Sequence, residues 1–324
     1  MAGSVEDPMI EVRDLTRRFG HTEAVSHLNF RIEKGDIVGF LGPNGAGKTT
    51  TLRMITGFLP PTQGDVVVGG LSSQEDGKAV RRQIGYLPEN NPLYEDLRVR
   101  EYLAFRAELK GVPRRLRARR IGEVLEACDA LEVRDRIIGA CSKGFRQRVG
   151  IADALLADPP VLILDEPTVG LDPAQIAQTR TLIKGLSADH TVLLSTHILP
   201  EVEAICSRAL ILHRGRLLFD GSVEGLRKGL SGGHLSCTVR APRAEAEACL
   251  AEIPGVIRVR TVAESGGETR LELETDPASD VREAIVRACS LRGLTLLELA
   301  ARQISLEEAF LSITTDEAAG EVEP

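Results

Sequence analysis

Apolar and polar positions alternate in IEVRDL (10–15) and LNFRI (28–32), and a period of two predicts β-strands. DIVGFL (36–41) is a more continuous apolar run leading straight into a glycine-rich turn. A helix is expected from Lys48, with Leu52, Ile55 and Thr56 forming its apolar stripe. The helical pattern over 98–128 is broken at Gly111 and Pro113, which predicts two helices there. Next come a helix over 144–157, the strand VLILD (161–165), a helix over 174–187, the strand TVLLST (191–196), a helix over 198–206, and two short strands around Arg214–Gly215. Strand and helix in alternation imply a mainly parallel, covered sheet. From 234 the order becomes β (234–240), α (243–253), β (256–262), β (269–275), α (281–293), β (295–301). That βαββαβ order reads as a small ferredoxin-like sandwich, and the tail EAAGEVEP reads as disordered.

The 324 residues suffice for a nucleotide-sized domain of roughly 200 to 250 residues plus a smaller one. Residues 1–230 hold 31 basic and 30 acidic side chains, against 9 and 17 in 231–324, and this shift at Ser231–Gly233 marks the expected boundary. No apolar run approaches the about 18 residues that span a bilayer, so any membrane role comes through a partner. The acidic start MAGSVEDPMIEV lacks the apolar segment of a secretory signal, which places the chain in the cytosol. Six scattered cysteines without CxxC pairs read as reduced packing residues. Aromatic content of 3% with no Trp disfavours a stacking surface for single-stranded nucleic acid, and the acidic balance disfavours a nucleic-acid partner in general.

GPNGAGKTT (42–50) satisfies G-x-x-x-x-G-K-[ST] between an apolar strand and a helix. Gly42, Gly45 and Gly47, with Pro43, Asn44 and Ala46, form a turn whose N–H groups point at phosphate oxygens, helped by the positive end of the helix carrying Thr50. Lys48 can reach the β- and γ-phosphates of ATP, and the Thr49 hydroxyl can hold Mg2+. VLILDEP (161–167) ends a buried strand on Asp165 and Glu166. A carboxylate there lies beside the phosphate loop, so Asp165 is the metal residue and Glu166 the general base or water positioner.

Family assignment rests on further segments. CSKGFRQRVGIADALLADP (141–159) resembles the signature of ABC ATPases, VGLDP (169–173) their D-loop, and STHILPEVE (195–203) their switch-histidine segment. GYLPENNPLY, SKGFRQRVG and ISLEEAFLSITT look like the gliding-motility and drug-resistance branch of ABC exporters, whose ATPase works with a separate permease. The resemblance implies an α/β ABC-type P-loop cassette over 8–230. That cassette has a mainly parallel sheet, an antiparallel β subdomain and a helical subdomain at about 90–158. A ferredoxin-like accessory domain at 231–315 and a tail at 316–324 complete the chain. It further implies a Mg-dependent ATPase acting as a head-to-tail homodimer, peripheral to the cytoplasmic face of the cell membrane through its permease. His197 would contact the γ-phosphate or attacking water, and Ser142 and Gly144 would face the opposite subunit's γ-phosphate. Phe19, in RRFG, occupies the adenine-stacking place, although an isolated Phe is otherwise a core residue. Asp172 would cross the dimer interface or simply cap the helix starting at Pro173.

Two positions depart from the family pattern. Glu89 stands where most cassettes have glutamine, and a carboxylate there can bind Mg2+ directly but repels triphosphate without it. Lys143 replaces a glycine of the signature and either approaches the opposite γ-phosphate or lies in solvent, and Phe145 replaces a glutamine. Leu93, Tyr94 and Leu97 sit where the family docks its permease, or fill a local core. The arginine-rich stretch 110–120 reads as a solvated face or a partner contact. A soluble ABC ATPase acting on ribosomes or DNA is the competing class, but it generally carries two cassettes or long coiled coils, and only one phosphate loop and no sustained heptads are present. An ATP-gated binding module with little turnover is the third, and intact Glu166 and His197 argue against it. The C-terminal domain has no catalytic cluster and is expected to regulate or to stabilise the dimer.

Overall fold

A computed structural model describes residues 7–226, 234–276, 279–302, 307, 308 and 310, in two compact units that divide after Val223. The composition shift at 231–233, most of ISLEEAFLSITT and the tail 316–324 lie outside the described residues.

In the first unit, β1 (Ile10–Phe19) and β2 (Thr22–Ile32) form a hairpin, and β1 also pairs with β4 (Gln63–Val68), which pairs with the two-residue β5 (Leu71–Ser72). The second sheet has the order β10-β9-β3-β8-β7-β6. Its strands are β3 (Ile37–Leu41), β6 (Ile84–Leu87), β7 (Val161–Asp165), β8 (Thr191–Thr196) and β9 (Arg208–His213), all parallel, plus the antiparallel edge β10 (Arg216–Ser222). Every residue of β7 and β8 is buried, so these strands read as apolar runs rather than alternating ones. The core lies between the sheets, where the Phe30 and Phe40 rings meet with centroids 6.0 Å apart.

Helices α1 (Lys48–Ile55) and α2 (Gly77–Gln83) follow β3 and β5. A helical portion comprises α3 (Val99–Leu109), α4 (Arg114–Ala127) and α5 (Lys143–Leu155). Arg106 on α3 grips Asp153 on α5 through two hydrogen bonds of 3.0 and 2.9 Å, and the Lys110 ammonium lies 3.2 Å from the same carboxylate. Helices α6 (Pro173–Leu186) and α7 (Leu199–Ile205) cover the parallel sheet. The expected helices all form, with ends shifted by one or two residues. Four elements between 57 and 97 had no counterpart in the expectation: β4, β5, α2 and β6.

The second unit contains β11 (His234–Arg240), α8 (Arg243–Ala251), β12 (Val256–Ser265), β13 (Glu268–Thr275), α9 (Arg282–Leu291) and β14 (Thr295–Ala301). Its all-antiparallel sheet runs β12-β13-β11-β14, the order of a ferredoxin-like split βαβ arrangement. The helices bury Leu235, Cys237, Val239, Leu271 and Leu273 from one face of that sheet. All six cysteines are free and buried. Among the described residues no helix is long and apolar enough to cross a membrane.

Candidate nucleotide-binding site

The phosphate loop turns between β3 and α1. Gly47 takes φ 102°, and a β-carbon there would lie 2.6 Å from the Ala24 carbonyl oxygen, so both backbone and space demand glycine. Gly42 is held as closely, since a β-carbon would meet the Leu212 carbonyl oxygen at 2.5 Å. α1 opens at Lys48 with no side-chain cap, which leaves its first N–H groups free for an anion. Lys48 is 7% exposed and its Nζ donates to the carbonyls of Gly42 (2.6 Å) and Pro43 (3.3 Å). Burial lowers its pKa, against the attraction of Glu166, Asp165 and Glu89.

A cleft of about 510 Å³ brings together Pro43 to Thr50, Glu89, Glu166 and His197, with Ala24 and Val169 at its margin. Glu166 has φ 51°, a left-handed backbone uncommon outside glycine, and its N–H donates to the Ser195 carbonyl at 3.0 Å. Nδ1 of His197 lies 2.9 and 3.0 Å from the two Glu166 oxygens. Since a carboxylate only accepts, Nδ1 carries the shared proton and the Nε2 edge of the ring is left for another partner. Lys48 Nζ stands 3.8 Å from Glu166.

Behind the cleft Asp165 is fully buried, and neither of its carboxylate oxygens has a hydrogen-bond partner, nor does the nearby Ser195 hydroxyl. Burial raises the Asp165 pKa, the Ser195 and Thr49 hydroxyls act the other way, and repulsion from Glu89 and Glu166 adds to the rise. Two orphaned anionic oxygens beside a threonine hydroxyl suit a hard divalent cation, with Thr49, Asp165 and Glu89 as the donors. Among the described residues no three His, Cys, Asp or Glu side chains converge into a metal cage.

Ser142, Lys143, Gly144, Asp172 and Phe19 lie outside this cleft. Ser142 caps α5, its hydroxyl accepting from the Phe145 N–H at 3.4 Å. With Gly144 it lines a separate hollow of about 240 Å³ beside Arg148 and Gln175. Lys143 is exposed, and its ammonium rests on Gly170, where a β-carbon would fall 2.0 Å from Nζ. Asp172 caps α6 by accepting from the Gln175 N–H at 2.9 Å. Phe19, at the tip of the first hairpin, is 48% exposed with the Arg17 guanidinium 4.7 Å from its ring centroid, so it is no core residue.

Ala24 lies in no motif of the sequence, whereas Val169 and Gly170 belong to the D-loop segment and Ser195 to the switch-histidine segment without having been singled out there. The sequence reading also passed over a groove of about 640 Å³ floored by Tyr86, Leu87, Pro88 and Pro92 and flanked by Arg53 and Phe58. Phe58 is 77% exposed. Tyr94 lies outside the groove and packs against Tyr102 and Phe105, with ring centroids 5.9 and 5.8 Å away, while Leu93 and Leu97 are half-buried.

Comparison with known proteins places these features in a family. The ABC transporter family model matches residues 25–169. The chain is 33% identical over 305 residues to the uncharacterized ABC transporter ATP-binding protein YxlF of Bacillus subtilis (strain 168), covering 94% of this chain and 99% of that protein. It is 33% identical over 316 residues to the daunorubicin resistance ATP-binding protein DrrA3 of Streptomyces coeruleorubidus, covering 96% and 97%. Among solved structures, the dimeric ATP-binding cassette MJ0796 bound to ADP and Pi superposes with a TM-score of 0.61 at 26% identity, covering 66% of this chain and 99% of that one. With its phosphate loop, buried strand-end carboxylate and Glu166–His197 pair, the chain belongs to the ABC transporter family, as an ATP-hydrolysing, ATP-binding subunit of the drug-resistance-type branch.

Proposed function

We propose that two copies pair head to tail, each cleft enclosing Mg-ATP against the other copy's Ser142–Gly144 segment, and that this cycle powers a separate permease for export. The division of the site carries the reading. Lys48, Glu89, Glu166 and His197 share one cleft, whereas the signature residues of the same chain face elsewhere and are free to serve a second copy. The dimeric state of the solved cassette with ADP and Pi supports the pairing, and the relative named for daunorubicin resistance supports export.

In this reading Lys48 leaves the Gly42 and Pro43 carbonyls for the β- and γ-phosphates. Gly42 to Thr50 cradle the phosphates through backbone N–H groups, and Phe19 stacks on adenine. Thr49, Asp165 and Glu89 hold Mg2+, which when bound neutralises charge on the phosphate oxygens. Glu166 accepts a proton from the attacking water. His197, oriented by Glu166, presents its Nε2 edge to the γ-phosphate or that water, so its contribution is placement. The opposite copy adds the N-terminus of α5 with Ser142 and Gly144, the Lys143 ammonium and Asp172. Loss of the bridging phosphate lets the pair open. The groove at Tyr86 and Phe58, with Tyr94 nearby, accepts an apolar permease segment and holds the chain at the cytoplasmic face of the cell membrane.

Glu166→Gln tests this directly. The variant should bind Mg-ATP, lose turnover about a hundredfold or more, and accumulate as an ATP-bound dimer in size-exclusion chromatography. Wild-type turnover, or a monomer at saturating Mg-ATP, would sink the reading.

A further inference from the structure

One enclosed carboxylate that the mechanism leaves unused holds both segments of the catalytic pair. Glu201, on α7, is 0% exposed. Its Oε2 accepts a hydrogen bond from the Thr196 hydroxyl at 2.9 Å, and its Oε1 accepts one from the Thr168 hydroxyl. Thr196 immediately precedes His197, and Thr168 follows Glu166 by two residues. Thr196 Oγ1 also accepts the Ile198 N–H at 3.0 Å, so a single hydroxyl braces the chain on both sides of His197. Thr168 and Thr196 are themselves buried, and none of the three residues lines the nucleotide cleft. Enclosing a carboxylate is costly, and an apolar side chain would pack α7 more cheaply, so packing alone does not account for Glu201.

The geometry points to Glu201 as a positioning residue, which with Thr168 and Thr196 forms a clip that keeps the Glu166 carboxylate and the His197 imidazole in register. The inference rests on the roles proposed above for those two side chains. A clip is needed because Glu166 sits in the left-handed region, a conformation that persists only where its surroundings hold it. Its backbone tie to Ser195 fixes one side of the turn, and the Thr168–Glu201–Thr196 bridge fixes the other. Reach matters here because small displacements of a water-positioning group are costly in rate.

The test uses the full chain with Thr168→Val, which keeps shape but removes the hydroxyl, Thr168→Ser, which keeps the hydroxyl, and Glu201→Gln as a second probe of the clip. Turnover and Mg-ATP affinity are measured separately, in the wild-type and His197→Ala backgrounds. Thr168→Val and Glu201→Gln should lower kcat, the former about tenfold, with ATP affinity unchanged because the phosphate loop is untouched. Thr168→Ser should restore turnover. In the His197→Ala background, where the pair is already broken, Thr168→Val should cost less than it does in the wild type. Wild-type kcat in both Thr168→Val and Glu201→Gln, or the same loss repeated without His197, would overturn the clip. A His197→Ala protein with full turnover would instead refute the underlying roles of Glu166 and His197.

Discussion

Asp165 is fully buried, neither of its oxygens has a hydrogen-bond partner, and burial pushes its pKa upward. A carboxyl whose pKa is higher folded than unfolded makes the folded state bind more protons, so its contribution to stability falls as pH rises from near the ordinary value of 3.8 through the raised one. Asp165→Asn should therefore raise the melting temperature of the nucleotide-free protein by about 2–4 °C at neutral pH, while shrinking the stabilisation by Mg-ATP. The advantage of the variant should vanish below that window, which calorimetry at several pH values checks. Glu89 joins Glu166 in a cleft lined by the buried cation Lys48, with Asp165 behind it. Glu89→Gln should accordingly bind ATP without magnesium more tightly than the wild type and show a weaker magnesium dependence, measured by nucleotide titration with and without the metal. The phosphate loop, Glu166 and His197 were legible because residue type and spacing coincide with a strand, a turn and a helix. The left-handed backbone of Glu166 and the burial of Glu201 were not, since both depend on chain segments brought together only by folding.

Helix α5 joins two surfaces. Its first turn carries Ser142 as cap, Lys143 and Gly144, and its later residues Gly150 and Asp153 line the groove near Phe58. Arg148 on α5 donates to Gln178 Oε1 at 2.6 Å on α6, the helix that follows the 169–172 loop. Lys143 lies over that loop as an exposed cation. In a Glu166→Gln background, Lys143→Ala should weaken ATP-driven dimerisation about tenfold, the scale of one hydrogen bond to a charged group. Analytical ultracentrifugation reads this, and unchanged dimerisation would leave the ammonium with only its contact to Gly170. At this scale the long periodic elements were legible and the short ones were not. β5 has two residues, β6 four and α2 seven, too few for a period to declare itself. The first hairpin was legible from the β-type alternation of the first thirty residues, but the register shift between Val12 and Leu15, where Asp14 has φ 47°, was not.

Among the described residues, an apolar core built from residues 10 to 212, with Leu217 packed against it, shares no residue with one built from 235 to 299. A chain ending after Val223 should thus retain Lys48-dependent Mg-ATP affinity within about twofold, a margin of a few tenths of a kcal/mol, by equilibrium binding. Loss of nucleotide binding from a folded truncation would show that the second unit shapes the site. The βαββαβ order of that unit could be read from periodicity, but its role could not, because its sequence carries no recognisable catalytic motif. The way Lys48 grips the Gly42 and Pro43 carbonyls also bears on the working cycle. Lys48 Nζ is held at the phosphate loop by two of the loop's own carbonyls, and these are the contacts it would trade for the β- and γ-phosphates in the proposed cycle. Nucleotide binding in that cycle is then an exchange of hydrogen-bond partners at a single buried ammonium.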